Sequence, residues 1–304
     1  MNNEPQLQDL RVFCLVARKS GFAAAADALG ASPAYVSKRI QMLEACLGVK
    51  LLHRSTRRVA VTEAGERVYR WAQGILDDVD HMVDDVSASK LTPRGLIRIS
   101  SSFGFGRVHV APALNALAER YPELEIRFDV SDRLVDLAGE GIDLDIRVGN
   151  EIAPQLIAKR LASNRRILCA SPAYLERRGT PRHLDELAGH DCLVIKERDH
   201  PFGLWRLAGP EGDTTVRVTG PLAANHGEIV HQWALAGRGI MLRSVWDVQA
   251  ALEAGTLVQV LPGHSQPADI WAVYPARLTT SAKLRICVEF FERHFRHLDL
   301  IPAP

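Results

Sequence analysis

A chain of 304 residues, 47% hydrophobic and 24% charged, is long enough for two or three domains and excludes a disordered or fibrous protein. No run reaches the roughly 18 apolar residues of a membrane span, and the start, Met1-Asn2-Asn3-Glu4-Pro5, is neither basic nor apolar, so a cytoplasmic protein with no membrane partner is expected. The net charge of +1 hides an asymmetry: Met1 to Ala60 carry nine Lys and Arg against four acids, so a basic head precedes a mildly acidic body. Cys14, Cys46, Cys169, Cys192 and Cys287 never form C-x-x-C, which argues for reduced core thiols and against a disulfide frame or a zinc site.

In the head, Leu10, Phe13, Cys14 and Ala17 repeat at helical spacing, and Ser20-Gly21 ends the pattern. Phe22 to Leu29 is a short alanine-rich helix closed by Gly30, small enough on its surface for a neighbouring helix to approach. Ser32 is an N-cap and Pro33 a first-turn residue; the helix they open buries Val36, Ile40, Leu43 and Leu47 and stops at Gly48. Its other face presents Ala34, Ser37, Lys38 and Gln41, short and polar side chains of the kind that reach base edges in a major groove. Val49 to Leu52 and Val59 to Val61 read as two strands around a basic tip. Arg54, Ser55, Thr56, Arg57 and Arg58 there suit phosphates or a narrow minor groove. Together these elements predict a winged helix-turn-helix over residues 1–61, a module expected to bind double-stranded DNA.

From Phe13 to Gly65 the runs S-G-F-x-A-A-A-x-x-L, S-x-x-Y-V-S-K-R-I-x-x-L-E, L-G-V-x-L-L-x-R-S-T-R-R and T-E-A-G resemble the N-terminal domain of LysR-type transcriptional regulators. The resemblance implies that Pro33, Ala34, Ser37 and Lys38 face the major groove, that Arg57 belongs to the wing, and that Ser20 and Phe22 approach the backbone. Lys38 stands where many members have arginine and lacks that residue's bidentate fork.

Thr62 caps a linker helix of about 27 residues assigned to 62–91, with Glu63 and Glu66 in its first turn. Val68, Ile75 and Met82, with Ala72, Val79 and Val86, repeat as a coiled-coil seam, while Asp77, Asp78, Asp80, Asp84 and Asp85 line its outer surface. A homodimer is therefore expected, presenting two heads to an interrupted palindrome. The family resemblance adds a dimer of dimers, and RNA polymerase is a further partner of such regulators.

Past a hinge at Ser89 to Gly95, strand and helix patterns alternate: strand Leu96–Ser100, helix Val108–Arg120, strand Leu124–Val130, short helix Leu134–Ala138 and strand Ile142–Val148. A second unit follows with strands Ile167–Ala170, Cys192–Ile195 and Val216–Thr219, and a helix from Glu228 to Ala236. Strands Gly239–Leu242, Leu257–Leu261 and Asp269–Tyr274 and a closing helix Ser281–His297 complete it. The reading is α/β, a mostly parallel sheet flanked by helices. Two lobes, 92–161 with 267–304 and 162–266, are joined by crossings near Leu156–Ala162 and Gly263–Ala268.

The runs R-R-I-L-C-A-S-P-A-Y-L, N-x-G-E, A-L-A-G-x-G-I and D-I-W-A-V-Y-P extend the LysR resemblance over essentially the whole chain. It implies a periplasmic-binding-protein-like effector domain that takes a small molecule between its lobes. The pattern most resembles the subgroup controlling use of dicarboxylic acids such as malate and tartrate. Ser100, Ser101, Ser102 and Phe103 lie between a strand and a helix, where hydroxyls and free N–H groups suit a carboxylate. Asn225 and His226 open a helix on the other lobe, and Arg147 ends a strand as a source of charge. His226 stands where similar relatives often have aspartate.

Catalysis finds little support, and no catalytic residue, metal or cofactor is expected. Gly104-Phe105-Gly106 lacks the third glycine of the dinucleotide fingerprint, since position 109 is His109. There is no G-x-S-x-G elbow and no P-loop, and the pairs His226/His231 and His294/His297 lack further ligands. The alternatives to a ligand-responsive regulator are a ligand-independent repressor with a non-functional cleft, a solute-binding protein, and a two-domain α/β enzyme.

Overall fold

The structure, a computed structural model, describes residues 4–54, 59–86, 93–195, 203–279 and 281–298. The chain divides into two compact units, Met1–Lys90 with Gly139–Gly141, and Leu91–Ala138 with Ile142–Pro304.

The first unit begins with α1 (Leu7–Lys19), α2 (Phe22–Leu29) and α3 (Pro33–Leu47). Each helix ends on a left-handed residue, Ser20, Gly30 and Gly48 in turn. Ser20, at φ 52°, is a non-glycine in that region, and Gly21 follows it at once in extended backbone. Ser32 caps α3 as expected, its Oγ accepting from Tyr35 N at 3.2 Å. Phe13, Val16, Val36, Ile40 and Leu43 are wholly buried between the three helices.

The wing is a hairpin of β1 (Leu52–Arg54) and β2 (Val59–Val61), antiparallel, with Arg54 opposite Val59. The first strand therefore starts later than the apolar run Val49–Leu52 suggests. Glu44 explains the delay. Its carboxylate accepts from Leu51 N at 3.0 Å and Lys50 Nζ at 2.8 Å, tying the approach to the wing onto α3. Burial alone would raise the Glu44 carboxyl, but the bonds from Lys50 and from Leu51 and Leu52 backbone hold it below its ordinary value.

Next comes α4 (Glu63–Val86), 24 residues where about 27 are expected. Thr62 caps it, its Oγ1 accepting from Gly65 N at 2.9 Å while donating to Lys50 O at 2.8 Å. A side chain at Gly65 would place Cβ 2.2 Å from Leu51 O, so only glycine lets the first turn lie this close to the wing.

In the second unit the described residues form two sheets. The first has five strands in the order β4-β3-β5-β15-β6: β3 (Gly95–Ser101), β4 (Leu124–Val130), β5 (Leu144–Val148), β6 (Leu156–Ala162) and β15 (Ile270–Pro275). Only β3 with β4 and β3 with β5 pair parallel; β15 runs antiparallel to both neighbours. The second has eight strands: β7 (Arg165–Ala170), β8 (Cys192–Ile195), β9 (Leu204–Gly209), β10 (Gly212–Arg217), β11 (Ala223–Ala224), β12 (Ile240–Ser244), β13 (Val258–Gln259) and β14 (Ser265–Pro267). There, β11 and β12 pair parallel with β8, and the other pairings are antiparallel.

The expected mostly parallel sheet is thus replaced by two mixed ones. The chain leaves the first lobe along β6 and returns beside it along β15, which must run the opposite way. β7 and β14 repeat that relation in the second lobe. The crossings themselves fall at Ser163-Asn164 and Ala268-Asp269, beyond the strand that Leu156–Ala162 proves to be.

Helices cover both sheets: α5 (Phe103–Phe105), a π-helical turn (Gly106–Val110) and α6 (Ala111–Arg120) run on without a break, then α7 (Pro172–Arg178), α8 (Gly227–Leu235), α9 (Val245–Glu253) and α10 (Ala282–His294). The expected short helix at Leu134–Ala138 is absent. Ser131 Oγ accepts from Arg133 N at 3.2 Å and Asp132 accepts from Phe103 N, side-chain bonds that compete with a helical turn. Strand β7 shows why the second lobe needs cover on both faces. Ile167 and Cys169 enter one core with Met241, while Leu168 and Ala170 enter another with Tyr174 and Leu242.

The Glu44 bonds yield an expected outcome. Glu44→Ala leaves buried donors unmet and lowers the unfolding free energy of the first unit by about 1–3 kcal/mol in urea denaturation at neutral pH. Because the folded carboxyl is held below its ordinary 4.5, its contribution is full above that value and fades as pH falls further. Glu44→Gln, which no longer titrates, flattens that acid limb; an unchanged limb would remove Glu44 from it.

Candidate functional site

Two sets of residues carry the functional expectations, one in each unit. On α3, Ala34, Lys38 and Gln41 are exposed and recur at i, i+4 and i+7, so one outward face holds them. Ser32 and Pro33 are exposed at its start, the positive end of the helix dipole, which suits a phosphate. Ser37 is half-buried on the flank of that face, Ser20 is exposed and Phe22 half-buried. Arg54 ends β1. Ser55, Thr56, Arg57 and Arg58 lie outside the described residues, as do Ser89 to Thr92 of the expected hinge.

The second set surrounds a cleft of about 1550 Å³ inside the second unit, lined from the first lobe by Phe103 and Arg147 and from the second by Arg166, Asn225, His226 and Gln266. Of the serine loop only Phe103 lines it. Ser100 Oγ donates to Asp145 Oδ1 and Ser101 Oγ to Ile146 O, each at 2.8 Å, and both serines are buried on β3. Ser102 caps α5 and lines a side pocket of about 50 Å³ with Gly227, Arg243 and Trp246. Phe103 N donates to Asp132 Oδ1 at 3.0 Å, so an internal carboxylate already meets that helix start.

Arg147 reaches the cleft wall but is 2% exposed, and its Nε and Nη2 hold Asp145 Oδ2 at 2.9 and 2.8 Å. Its charge is largely neutralised within the strand. Asn225 is exposed, and the half-buried His226 ring lies 5.3 Å from the Phe103 ring, across the lobes. His226 Nδ1 is buried with no hydrogen-bond partner among the described residues.

Arg166, Gln266 and the β10 residues Thr214 and Thr215 line the cleft without having been singled out. Arg166 Nη1 donates to Gln266 Oε1 at 2.7 Å. The signal for Arg166 was its place as the second residue of a strand leaving a lobe crossing. The hairpin carried no turn signature strong enough to announce Thr214.

Gly227 marks a close approach. A Cβ there would lie 2.0 Å from Arg243 Nη1, so the glycine after Asn225-His226 makes room for a guanidinium under the start of α8. Arg243 Nε donates to Asp247 Oδ2 at 2.7 Å, and His231 Nδ1 stands 3.4 Å from the same oxygen. Burial pushes the Asp247 carboxyl up, but the His231 bond and the Arg243 charge outweigh it and hold the pKa below its ordinary value. On the same side of the cleft Arg107 donates from Nε to Glu228 Oε1 at 3.0 Å, and Trp246 packs edge-on to Phe105, linking the two lobes.

Residues 7–66 match the bacterial regulatory helix-turn-helix protein, lysR family, and residues 91–296 match the LysR substrate binding domain. The chain is 63% identical to the HTH-type transcriptional regulator DmlR of Escherichia coli (strain K12), over 97% of this chain and 96% of that one. It is 52% identical to the HTH-type transcriptional activator TtdR of the same strain, over 95% of this chain and 94% of the relative. Among solved structures, full-length AphB, a Vibrio cholerae virulence activator, is similar with a TM-score of 0.58 and 30% identity, covering 94% of this chain and 98% of that one. These relatives are regulators of transcription, not enzymes.

The tight seat of Gly227 is open to test. Gly227→Ala must push Arg243 off Asp247, and a loss of about 1–3 kcal/mol in denaturant unfolding of the second unit is expected. An unchanged unfolding midpoint would mean that the guanidinium has another place to go.

Proposed function

The chain belongs to the LysR family of bacterial transcriptional regulators, and from that membership we propose that it reads an interrupted palindrome as a self-associated assembly controlled by a small dicarboxylate. The reading for the effector is carried by the cleft: it is lined by Asn225, by Arg166 beside Gln266, and by a histidine whose buried Nδ1 has no partner among the described residues, while Arg147 is already held by Asp145. A polar cavity with convergent donors suits an organic acid. The motif likeness to regulators of dicarboxylate use and the identities to DmlR and TtdR support the same class. His226, Asn225, Phe103 and Ser102 are the contacts this reading names first; Ser100, Ser101 and Arg147 support the wall behind them. A regulator of chromosomal genes works in the cytoplasm, and RNA polymerase is the partner through which bound DNA changes transcription.

Self-association is read from α4. Val68 and Ala72 of the expected seam turn inward against the first unit's own core, with Ala72 1% exposed. Trp71, Ile75 and Met82 form the outward stripe, at i, i+4 and i+11, with Trp71 76% exposed. An apolar row of that kind on a 24-residue helix supports pairing with a second copy. The domain limits proposed are 1–61, 62–91 and 92–304.

Calorimetric titration of the full-length protein with four-carbon dicarboxylates, monocarboxylates and neutral sugars tests the effector class. Binding confined to the dicarboxylates is expected, with His226→Ala weakening it about tenfold or more; binding only by neutral or cationic compounds would sink the idea. For self-association, Trp71→Glu is expected to lower the mass seen in analytical ultracentrifugation and to weaken binding to a two-half-site duplex. An unchanged mass would move the contact elsewhere.

A further inference from the structure

Arg39 sits in the middle of α3, among the cations that make the head basic, yet its side chain does not join the outward face. On the helical wheel it falls between the exposed row of Ala34, Lys38 and Gln41 and the buried row of Val36, Ile40 and Leu43, on the flank away from Ser37. Its Nε meets Asp9 Oδ1 of α1 at 2.5 Å, with side chains 19% and 4% exposed. Asp9 is one turn into α1, on the face that also buries Leu10, Val12, Phe13 and Val16.

Around the pair, Phe13 and Val16 of α1 and Val36, Ile40 and Leu43 of α3 belong to one apolar core. Such packing is non-directional, and methyl groups tolerate small rotations of one helix on another. The ion pair is short and buried, a fixed point of attraction between the two helices, although Arg39 Nε and Asp9 Oδ1 do not align as a hydrogen bond. Burial pushes the Asp9 carboxyl above its ordinary value even with Arg39 beside it, so the pair is costly to desolvate and weak as a source of stability. A buried pair of that kind suits the selection of one arrangement among several of similar packing energy.

We propose that Asp9, acting through Arg39, is a positioning residue for DNA reading: it fixes the rotation of α3 on α1. Base contacts from Ala34, Lys38 and Gln41 and backbone contacts from Ser20 and Phe22 can then be made at the same time. The proposal rests on α3 being the base-reading helix. Arg39 itself touches no phosphate in this arrangement, and the charge it adds is cancelled by Asp9. Rotating α3 out of register leaves each contact residue intact but takes the two sets out of step, so discrimination suffers before affinity for arbitrary DNA does.

The test uses the full-length protein, the tightest duplex it selects from a random-sequence library, and a scrambled duplex of equal length. Asp9→Asn and Arg39→Gln are each expected to reduce the selected-to-scrambled affinity ratio about tenfold. Scrambled-duplex affinity and the slope of affinity with salt should stay as in the parent protein. The double variant should lose no more than either single one, and Asp9→Glu should recover part of the ratio. If Asp9→Asn does not fold, Arg39→Gln, at the more exposed partner, carries the comparison alone. A salt slope shallower by about one for Arg39→Gln would make Arg39 a phosphate contact and overturn the proposal. So would equal losses on both duplexes alongside a lowered Tm, which mark a purely structural pair. If the parent protein prefers no duplex at all, the base-reading role of α3 fails first and the inference falls with it.

Discussion

Asn164 donates from its side-chain amide to Ala268 O at 2.7 Å and to Ser244 Oγ at 3.2 Å, while its backbone N–H donates to Asp269 Oδ1 at 3.1 Å. Ala268 N returns a bond to Asn164 O at 3.0 Å. The two crossings that join the lobes are thus tied to each other and to the end of β12. A pair of independent linkers would let the lobes twist as well as open. Stitched together, they act as one joint, and the direction of strands β6, β7, β14 and β15 follows from the same double passage. The cleft owes its existence to this arrangement, since both of its walls begin within a few residues of Asn164.

Among the described residues, four charged pairs share one design. Arg147 is held by Asp145, Arg243 by Asp247, Arg39 by Asp9 and Lys50 by Glu44. In a low dielectric an ion without a partner is prohibitive, so buried Arg147 and Arg243, and buried Asp9 and Glu44, each have a partner of opposite charge. For the cleft this means that Arg147 comes to the wall already paired, beside the amide of Asn225 and the imidazole of His226. For the head it means that a count of basic residues overstates the charge offered to DNA.

The head was legible because its signals are local. Ser32-Pro33, Gly30 and Gly48 announce helix ends through chemistry that involves neighbours only, and Val36, Ile40 and Leu43 repeat at a period that nothing else disturbs. The body was legible as alternating strands and helices, but the sense of its strands was not. Parallel or antiparallel pairing depends on where the chain goes next, and β15 reverses because it comes back from a second lobe. Helix α9 hid behind a strand-like run, Ile240 to Ser244, that continues into it without a break. The β9–β10 hairpin turns at Gly209 to Gly212 through Pro210-Glu211, which does not resemble the usual two-residue glycine turns. In the cleft, Phe103 and His226 could be placed from helix starts alone. The commitment of Ser100 could not, because Asp145 opposes it only after β3 and β5 pair in register, and that of Arg147 lay in Asp145 two residues earlier on its own strand.

The joint at Thr62 has a mechanical reading. Thr62 N donates to Leu51 O at 2.9 Å, its hydroxyl holds Lys50 O, and Gly65 presses its backbone against the same strand entry, while Tyr69 meets Phe13 edge-on a turn later. A 24-residue helix is about 36 Å long. With its first turn welded to the wing in this way, α4 is a rigid lever with no slack at the fulcrum. A tilt of about 5° imposed on it corresponds to about 3 Å of travel at the far end. Within the first unit, a tilt of α4 therefore reaches the wing through bonds at its own first turn and not through an intervening loop.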